Sequence, residues 1–234
     1  VVLVGGLGTR LGELTRSVPK PMLPIGGRPF LEHIVALLGR NGVGRVVFCV
    51  SHLGEVIRNH FGAGEKFGVA ISYSHEPSPL GTGGAIRLAR AQLDDQFLVL
   101  NGDTIFDIPL PQLAQLLTAH PTALAAMALR RVDDAGRYGS VRLDGEHVVA
   151  FEEKGRTGAG LINGGIYCLR RDALAHLPES ASSLERDLFP RLAAARQLCA
   201  RAFDGYFIDI GIPADLARAN EELPKRLVVC GVHS

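Results

Sequence analysis

Val1-Val2-Leu3-Val4-Gly5-Gly6-Leu7-Gly8-Thr9-Arg10-Leu11, completed at Pro19-Lys20-Pro21-Met22, is the stretch on which the reading of this chain turns. Four apolar residues, three of them β-branched, spell a buried strand. Glycines follow at once. A backbone without Cβ turns sharply there and lets a ligand reach its N–H groups, and successive N–H groups in such a turn form an anion-binding concavity. Arg10 and Lys20 add two fixed positive charges. Strand, glycine turn and paired cations together point to a polyphosphate site.

Glycine loops of three chemistries differ in what surrounds them. A Walker A loop ends in Gly-Lys-Ser or Gly-Lys-Thr, whereas here the chain reads Gly8-Thr9-Arg10. A dinucleotide fold needs its glycines on a short turn opening a helix, and an acid at the end of the second strand. The second candidate strand, 45–50, runs instead into Ser51 and His52. Pro19, Pro21 and Pro24 make an irregular loop rather than a helix. The third chemistry is a loop that wraps a nucleoside triphosphate for nucleotidyl transfer, and a glycine turn without ligand is the remaining alternative. Gly5-Gly6-Leu7-Gly8-Thr9-Arg10-Leu11 followed by Val18-Pro19-Lys20-Pro21-Met22 resembles the signature of the sugar-1-phosphate nucleotidyltransferases, the nucleotide-sugar pyrophosphorylases.

Composition removes other classes. With 234 residues the chain can build one full core, and 47% hydrophobic with 21% charged residues lies in the globular range. A net charge of +1 gives no bulk-charge case for nucleic-acid or membrane binding. No apolar run is long enough to span a bilayer and no signal-like segment is visible, so a cytoplasmic setting is expected. Cys49, Cys168, Cys199 and Cys230 are scattered singly, without metal-type pairing, which suits reduced thiols. His52, His75 and His147 likewise lack zinc spacing.

Outward from the first loop, apolar spacing predicts a helix over 30–38 with Pro29 in its first turn, a strand over 46–50 and a short helix ended by Gly62 and Gly64. A strand over 69–73, a helix over 85–93 and a strand over 97–100 follow. Strand and helix thus alternate, with near-continuous apolar strands, and predict an α/β fold with a doubly wound, mostly parallel central sheet. Ligands on such sheets sit at strand carboxyl ends, and Gly5, Ser51, Glu76 and Asn101 fall there. After a helix over 110–120 the pattern changes to a strand over 123–129, a hairpin turning at Asp144-Gly145 and a strand over 161–169. A helix over 184–195 capped by Ser182-Ser183, two short strands and a last helix over 213–223 complete it. The second half reads as an antiparallel α+β insertion on the same sheet. The expectation is one domain over 1–234, with 1–120 mainly nucleotide-binding, 121–223 mainly sugar-phosphate-binding and 224–234 a tail without clear role.

Several residues carry chemistry on this frame. Glu76-Pro77-Ser78-Pro79-Leu80-Gly81-Thr82-Gly83-Gly84-Ala85 is a second glycine-rich turn, in which Gly81 and Gly83 let a flat ring approach and Thr82 offers a hydroxyl. A carboxylate accepts two hydrogen bonds, and guanine presents N1–H and N2–H side by side, so Glu76 is the candidate for guanine selection; a surface acid before a proline is the alternative. In Asn101-Gly102-Asp103 a carboxylate closes a strand beside a glycine, which suits Mg²⁺ with phosphate oxygens. Asp209 ends a late strand in the same style, and Asp107 is read as a turn acid before Ile108-Pro109. The resemblance implies that Asp103 and Asp209 are the metal pair and that Leu3, Gly5, Gly6, Gly8, Thr9, Arg10, Ser51, Glu76, Gly81, Thr82, Asn101 and Gly102 bind the nucleotide. It further implies sugar-phosphate contacts from Tyr138-Gly139, Glu153, Lys154 and Asn163-Gly164, with Lys154 a point charge for the phosphate.

A sugar-1-phosphate oxygen is anionic near neutral pH, so in-line attack on the α-phosphorus needs no general base, and catalysis is positioning plus charge neutralisation. Arg10, Lys20 and Asp103 are the expected catalytic residues, with Mg²⁺ on Asp103 and Asp209. The set Pro-Leu-Gly-Thr-Gly-Gly-Ala (79–85), Leu-Asn-Gly-Asp-Thr-Ile-Phe-Asp (100–107), Ser-Leu-Glu-Arg-Asp (183–187) and Phe-Ile-Asp-Ile-Gly-Ile-Pro (207–213) resembles most the branch that uses GTP and D-glycero-D-manno-heptose 1-phosphate. Mannose 1-phosphate is the alternative substrate, and an inactive nucleotide-sugar-binding regulatory subunit the alternative of another class. A homodimer is the expectation from similar enzymes.

Overall fold

The computed structural model describes residues 1–6, 8–152, 155 and 158–228, with Thr9, Arg10, Leu227 and Val228 by backbone alone. In chain order the first half holds β1 (Val2–Leu3), the small hairpin β2 (Pro24–Ile25) and β3 (Arg28–Pro29), α1 (Phe30–Arg40), β4 (Arg45–Val50), α2 (Gly54–Phe61), β5 (Ala70–His75), α3 (Gly81–Leu88), β6 (Gln96–Asn101), β7 (Thr104–Phe106) and α4 (Leu110–Ala119). The second half holds β8 (Ala125–Val132), β9 (Ser140–Asp144), β10 (His147–Glu152), β11 (Gly160–Arg170), α5 (Phe189–Ala194), β12 (Leu198–Phe203), β13 (Phe207–Asp209) and α6 (Pro213–Val228).

One nine-stranded sheet in the order β5-β4-β1-β6-β11-β8-β12-β10-β9 runs through both halves. The strands β5, β4, β1 and β6 are mutually parallel. β11 enters antiparallel between β6 and β8, β12 returns parallel to β8, and the β9–β10 hairpin closes the far edge. The sheet is therefore parallel over β5, β4, β1 and β6 and mixed beyond. Helices cover both faces. Phe30, Ile34 and Leu38 of α1, Ile57 and Phe61 of α2, and Leu113 and Leu117 of α4 pack on one. Ala85 and Ile86 of α3 and Phe189 and Leu192 of α5 pack on the other. Alternation decides the face: Val46, Phe48 and Val50 of β4 point one way, Val47 and Cys49 the other.

Register aligns the carboxyl ends. Leu3 stands opposite Cys49 on one side and Asn101 on the other, so the Gly5 turn, Ser51 and Gly102 emerge together. A separate ribbon pairs β7 with β13, Asp209 opposite Thr104, and brings the chain's last strand to the end of β6.

Some boundaries differ from the sequence expectation for physical reasons. Pro29 is the residue before α1, with ψ 140, rather than part of its first turn. α3 begins at Gly81, so the second glycine turn is itself helical. The helix capped by Ser183 starts as a π turn over Leu184–Leu188 before α5; Pro190 supplies no N–H to the ladder there. α6 continues through Pro224 to Val228, past the expected end at Leu223. Cys49, Cys168 and Cys199 are free and buried, and burial pushes each thiol up to about 12. No helix among the described residues is long and apolar enough to cross a membrane.

Candidate active site

The first loop folds on itself through Thr15, which no sequence signal marked. Its hydroxyl donates to the Gly8 carbonyl at 3.1 Å and lies 3.2 Å from that of Gly12, while Leu11 N–H donates to Gly8 O at 3.0 Å. Gly8 is left-handed, φ 63, as such a turn requires. Ser51 Oγ holds the strand end by donating to Gly5 O at 2.5 Å. A Cβ on Gly5 would sit 2.7 Å from Glu76 Oε1 and 3.1 Å from Ser51 Oγ, so only glycine lets these groups meet. Gly102 is needed for a like reason: its N–H donates to Leu3 O at 2.9 Å, and a Cβ would lie 2.5 Å from that oxygen.

These turns wall a cavity of about 420 Å³. It brings together Leu3, Gly5, Gly6, Gly8, Lys20, Glu76, Gly81, Thr82, Asn101, Gly102 and Asp103, and adds Val4, Pro21, Pro79, Ala85 and Gly211, which stand in the quoted motifs without a contact of their own. Among the described residues, the amides of Gly5, Gly6 and Gly8 meet no acceptor of the chain. Ser51 lies behind the wall as a loop anchor. The side chains of Thr9 and Arg10, and Glu153 and Lys154 altogether, lie outside the described residues.

In the cavity wall Lys20 is buried and its Nζ donates to Asp103 Oδ2 at 2.5 Å and stands 3.9 Å from Asp209 Oδ1. The β7–β13 ribbon makes this possible, since Ile210 N–H donates to Asp103 O at 2.9 Å and pins the two acids side by side. Thr104 Oγ1 reaches Asp103 Oδ1 at 3.1 Å and Gly211 N–H reaches Asp209 Oδ1 at 2.6 Å. Two carboxylates converging on one ammonium form a hard-oxygen donor set that fits a divalent cation completed by phosphate oxygens. Asp107 is turned outward to Arg40, 3.4 Å away, as a turn acid.

Glu76 of the same wall is buried, which overturns the alternative of a surface acid. Its Oε2 accepts from Leu80 N–H at 2.9 Å. Burial raises its pKa above the ordinary range, against the smaller opposing pull of that amide. Thr82 is more committed than expected: Leu184 N–H donates to its oxygen at 2.8 Å, and it donates to Glu185 Oε2 at 2.9 Å. The glycines of α3 admit protein as well as any ligand. A Cβ on Gly81 would lie 2.4 Å from Ser182 O, and one on Gly83 2.7 Å from Leu177 Cδ2.

Tyr138, Gly139, Asn163 and Gly164 do not line this cavity. Tyr138 meets Phe207 of β13 edge-on at 6.4 Å, and the Arg137 guanidinium stands 5.1 Å from its ring. Arg137 also pairs with the buried Asp215 at the start of α6, which raises its pKa further. Asn163 Nδ2 donates to Tyr167 Oη at 2.7 Å, and Gly164 leaves room for Phe106, 2.5 Å from a Cβ placed there.

A doubly wound sheet with its cleft at the strand carboxyl ends defines an α/β nucleotide-site architecture. The model of the family described as Nucleotidyl transferase matches residues 1–226, and the chain belongs to that family. It is 42% identical to D-glycero-alpha-D-manno-heptose 1-phosphate guanylyltransferase of Campylobacter jejuni, over 92% of this chain and 95% of that one. It is 37% identical to the protein of the same name from Aneurinibacillus thermoaerophilus, over 95% and 97%. The crystal structure of HddC from Yersinia pseudotuberculosis complexed with GMP-PN superposes with a TM-score of 0.83 at 34% identity, over 95% of this chain and 97% of that one.

Proposed function

We propose that the chain transfers the guanylyl group of GTP to D-glycero-α-D-manno-heptose 1-phosphate and releases pyrophosphate. The observation that carries this reading is one cavity lined by Lys20, Asp103 and the buried Glu76 carboxylate, with Asp209 closing on Lys20 from beside it. Similarity over almost the full length to two heptose 1-phosphate guanylyltransferases supports the choice of sugar.

The attacking phosphate oxygen is already anionic, so the chain's task is to place it in line and to neutralise charge. The amides of Gly5, Gly6 and Gly8, with Arg10, hold the phosphates that leave. Lys20 neutralises the phosphoryl oxygens. Mg²⁺ held by Asp103 and Asp209 would supply charge neutralisation at the α-phosphate. Lys154 places the sugar phosphate, and Glu153, Asn163 and the Tyr138-Gly139 backbone orient the sugar. Glu76 Oε1, beside Gly5, and the remaining lone pairs of Oε2 accept from the guanine edge. A GTP donor and buried, protonated thiols suit a cytoplasmic setting.

Pyrophosphate release with four nucleoside triphosphates crossed against heptose, mannose and glucose 1-phosphates tests the whole reading. The highest kcat/KM is expected for GTP with the heptose 1-phosphate. A higher value with mannose 1-phosphate reassigns the sugar, and no release with any pair leaves a binding protein without turnover. Glu76→Gln is expected to lower the GTP/UTP ratio about tenfold or more; an unchanged ratio removes Glu76 from base selection.

A further inference from the structure

Beside the cavity a line of hydrogen bonds runs from Thr82 to Asn163, and Glu185 is its centre. Its direction is forced from both ends by backbone N–H groups, which can only donate. Leu184 N–H donates to Thr82 Oγ1 at 2.8 Å, so the Thr82 proton goes to Glu185 Oε2 at 2.9 Å. The amides of Glu185 and Arg186 donate to Ser183 Oγ at 3.2 and 3.3 Å, so its proton goes to the same Oε2 at 2.8 Å. From the far end, Gly165 N–H donates to Asn163 Oδ1 at 2.9 Å, which turns Nδ2 to Tyr167 Oη at 2.7 Å. The Tyr167 proton then goes to Glu185 Oε1 at 3.4 Å. Tyr167 is fully buried, and burial first, then the Glu185 charge, raise its pKa well above the ordinary tyrosine value, so it stays a donor.

We propose that Glu185 is a positioning carboxylate: as the common acceptor of this line it completes the polarity that the backbone N–H groups start, and with them holds Thr82 as an acceptor and Asn163 as a donor toward substrate. The proposal rests on the reading of Thr82 and Asn163 as substrate contacts given above. A carboxylate has no hydrogen to give, so every hydroxyl that reaches it must donate. Thr82 keeps one lone pair on the wall of the cavity, and Asn163 keeps one N–H. The first suits an N–H or O–H of the nucleotide, the second the oxygen of a sugar hydroxyl. In the sequence Glu185 stands in the Ser-Leu-Glu-Arg-Asp motif and at the start of a helix without a role of its own, because its partners lie 18 and 103 residues away.

The test moves the carboxylate along the line. Asn163→Asp alone sets an acceptor against the Tyr167 oxygen while the Tyr167 proton is directed away. Glu185→Gln alone sets an N–H₂ among hydroxyl donors. Together they reverse the line: the amide introduced at position 185 donates to Tyr167 Oη, and Tyr167 donates to the carboxylate introduced at position 163. Melting without substrate is expected to show a loss in each single variant and recovery of most of it in the double. Losses that merely add overturn the proposal, as does a double that stays unfolded when a single does not fold. Kinetics with whichever sugar 1-phosphate the wild type turns over reads the second half. KM for that substrate is expected to stay raised about tenfold in the double, with kcat within about threefold, because position 163 then offers only acceptors. A KM that recovers together with stability overturns the donor role of Asn163. A wild type that turns over no sugar phosphate defeats the proposed function but leaves the melting cycle to decide the polarity of the line.

Discussion

Lys20 is 7% exposed, yet its ammonium is held by two carboxylates that are each partly open to solvent. It shares the oxygens proposed above to hold Mg²⁺, and so keeps Asp103 and Asp209 compatible when none is bound. Lys20→Met keeps the apolar stem and removes that charge. The metal-free variant is expected to lose about 1–2 kcal/mol, a value reduced for the exposure of the aspartates. Mg²⁺ should then raise its Tm more than that of the wild type, and an equal rise in both contradicts the placement. At saturating substrates kcat should fall by about 10²–10³, as for loss of one preorganised charge. Glu76 gives a pH prediction. Its folded pKa lies above the unfolded one, so between them the folded state holds more protons and stability falls as pH rises through that window. Glu76→Gln, still able to accept from Leu80 N–H, should melt higher than wild type near neutral pH and alike below the ordinary glutamate range. A constant difference across pH assigns the effect to packing. Lys20, Asp103 and Asp209 were legible because each follows a recognisable strand or loop signal. Thr15, Glu185 and the Arg137–Asp215 pair were not, because their partners come from packing between distant segments.

At the scale of elements, α3 shows what glycine spacing does and does not reveal. Gly81-Thr82-Gly83-Gly84 reads as a turn open to a flat ligand, and the structure makes it the first turn of a helix jammed against Ser182. Both Gly83 and Gly84 N–H groups point to Ser182 O, at 2.9 and 3.4 Å. The sequence shows that a close approach occurs; it does not show whether backbone or ligand makes it. Gly81 combines φ +72 with only 2.4 Å between a built Cβ and Ser182 O. Gly81→Ala is therefore expected to cost about 2–4 kcal/mol from backbone strain and overpacking together. A lower denaturant midpoint at unchanged m-value would show it. Gly42, where nothing lies within 4 Å of a built Cβ, serves as the control, since its φ of +77 carries the strain without the clash. Equal losses at Gly81 and Gly42 would mean that the contact with Ser182 contributes nothing.

At the scale of the molecule, the doubly wound half is legible from alternation and the second half reads as lying on the same sheet, but the strand that joins them is not legible. β11 is the joint. It pairs with β6 from Ile166 to Arg170 and with β8 from Gly160 to Leu169, across a bulge between Asn163 and Tyr167. Each core layer draws on both halves: Phe30 and Phe203 share one, Val47 and Phe189 the other. Arg137 and Asp215 add a tie between the loop before β9 and α6. A cut near residue 120 would leave β6 as an exposed edge and bare Phe97, Val99 and Leu100 on its faces. The two halves of the chain are thus expected to unfold as one unit. Far-UV dichroism and tyrosine fluorescence of the whole chain should give coincident transitions. A fragment of residues 1–120 should show no cooperative melt, because the missing β11 strand supplies both the hydrogen bonds and the apolar cover of β6. A sharp transition in that fragment would make the halves separate domains, and Glu185 would then couple two folding units rather than two walls of one.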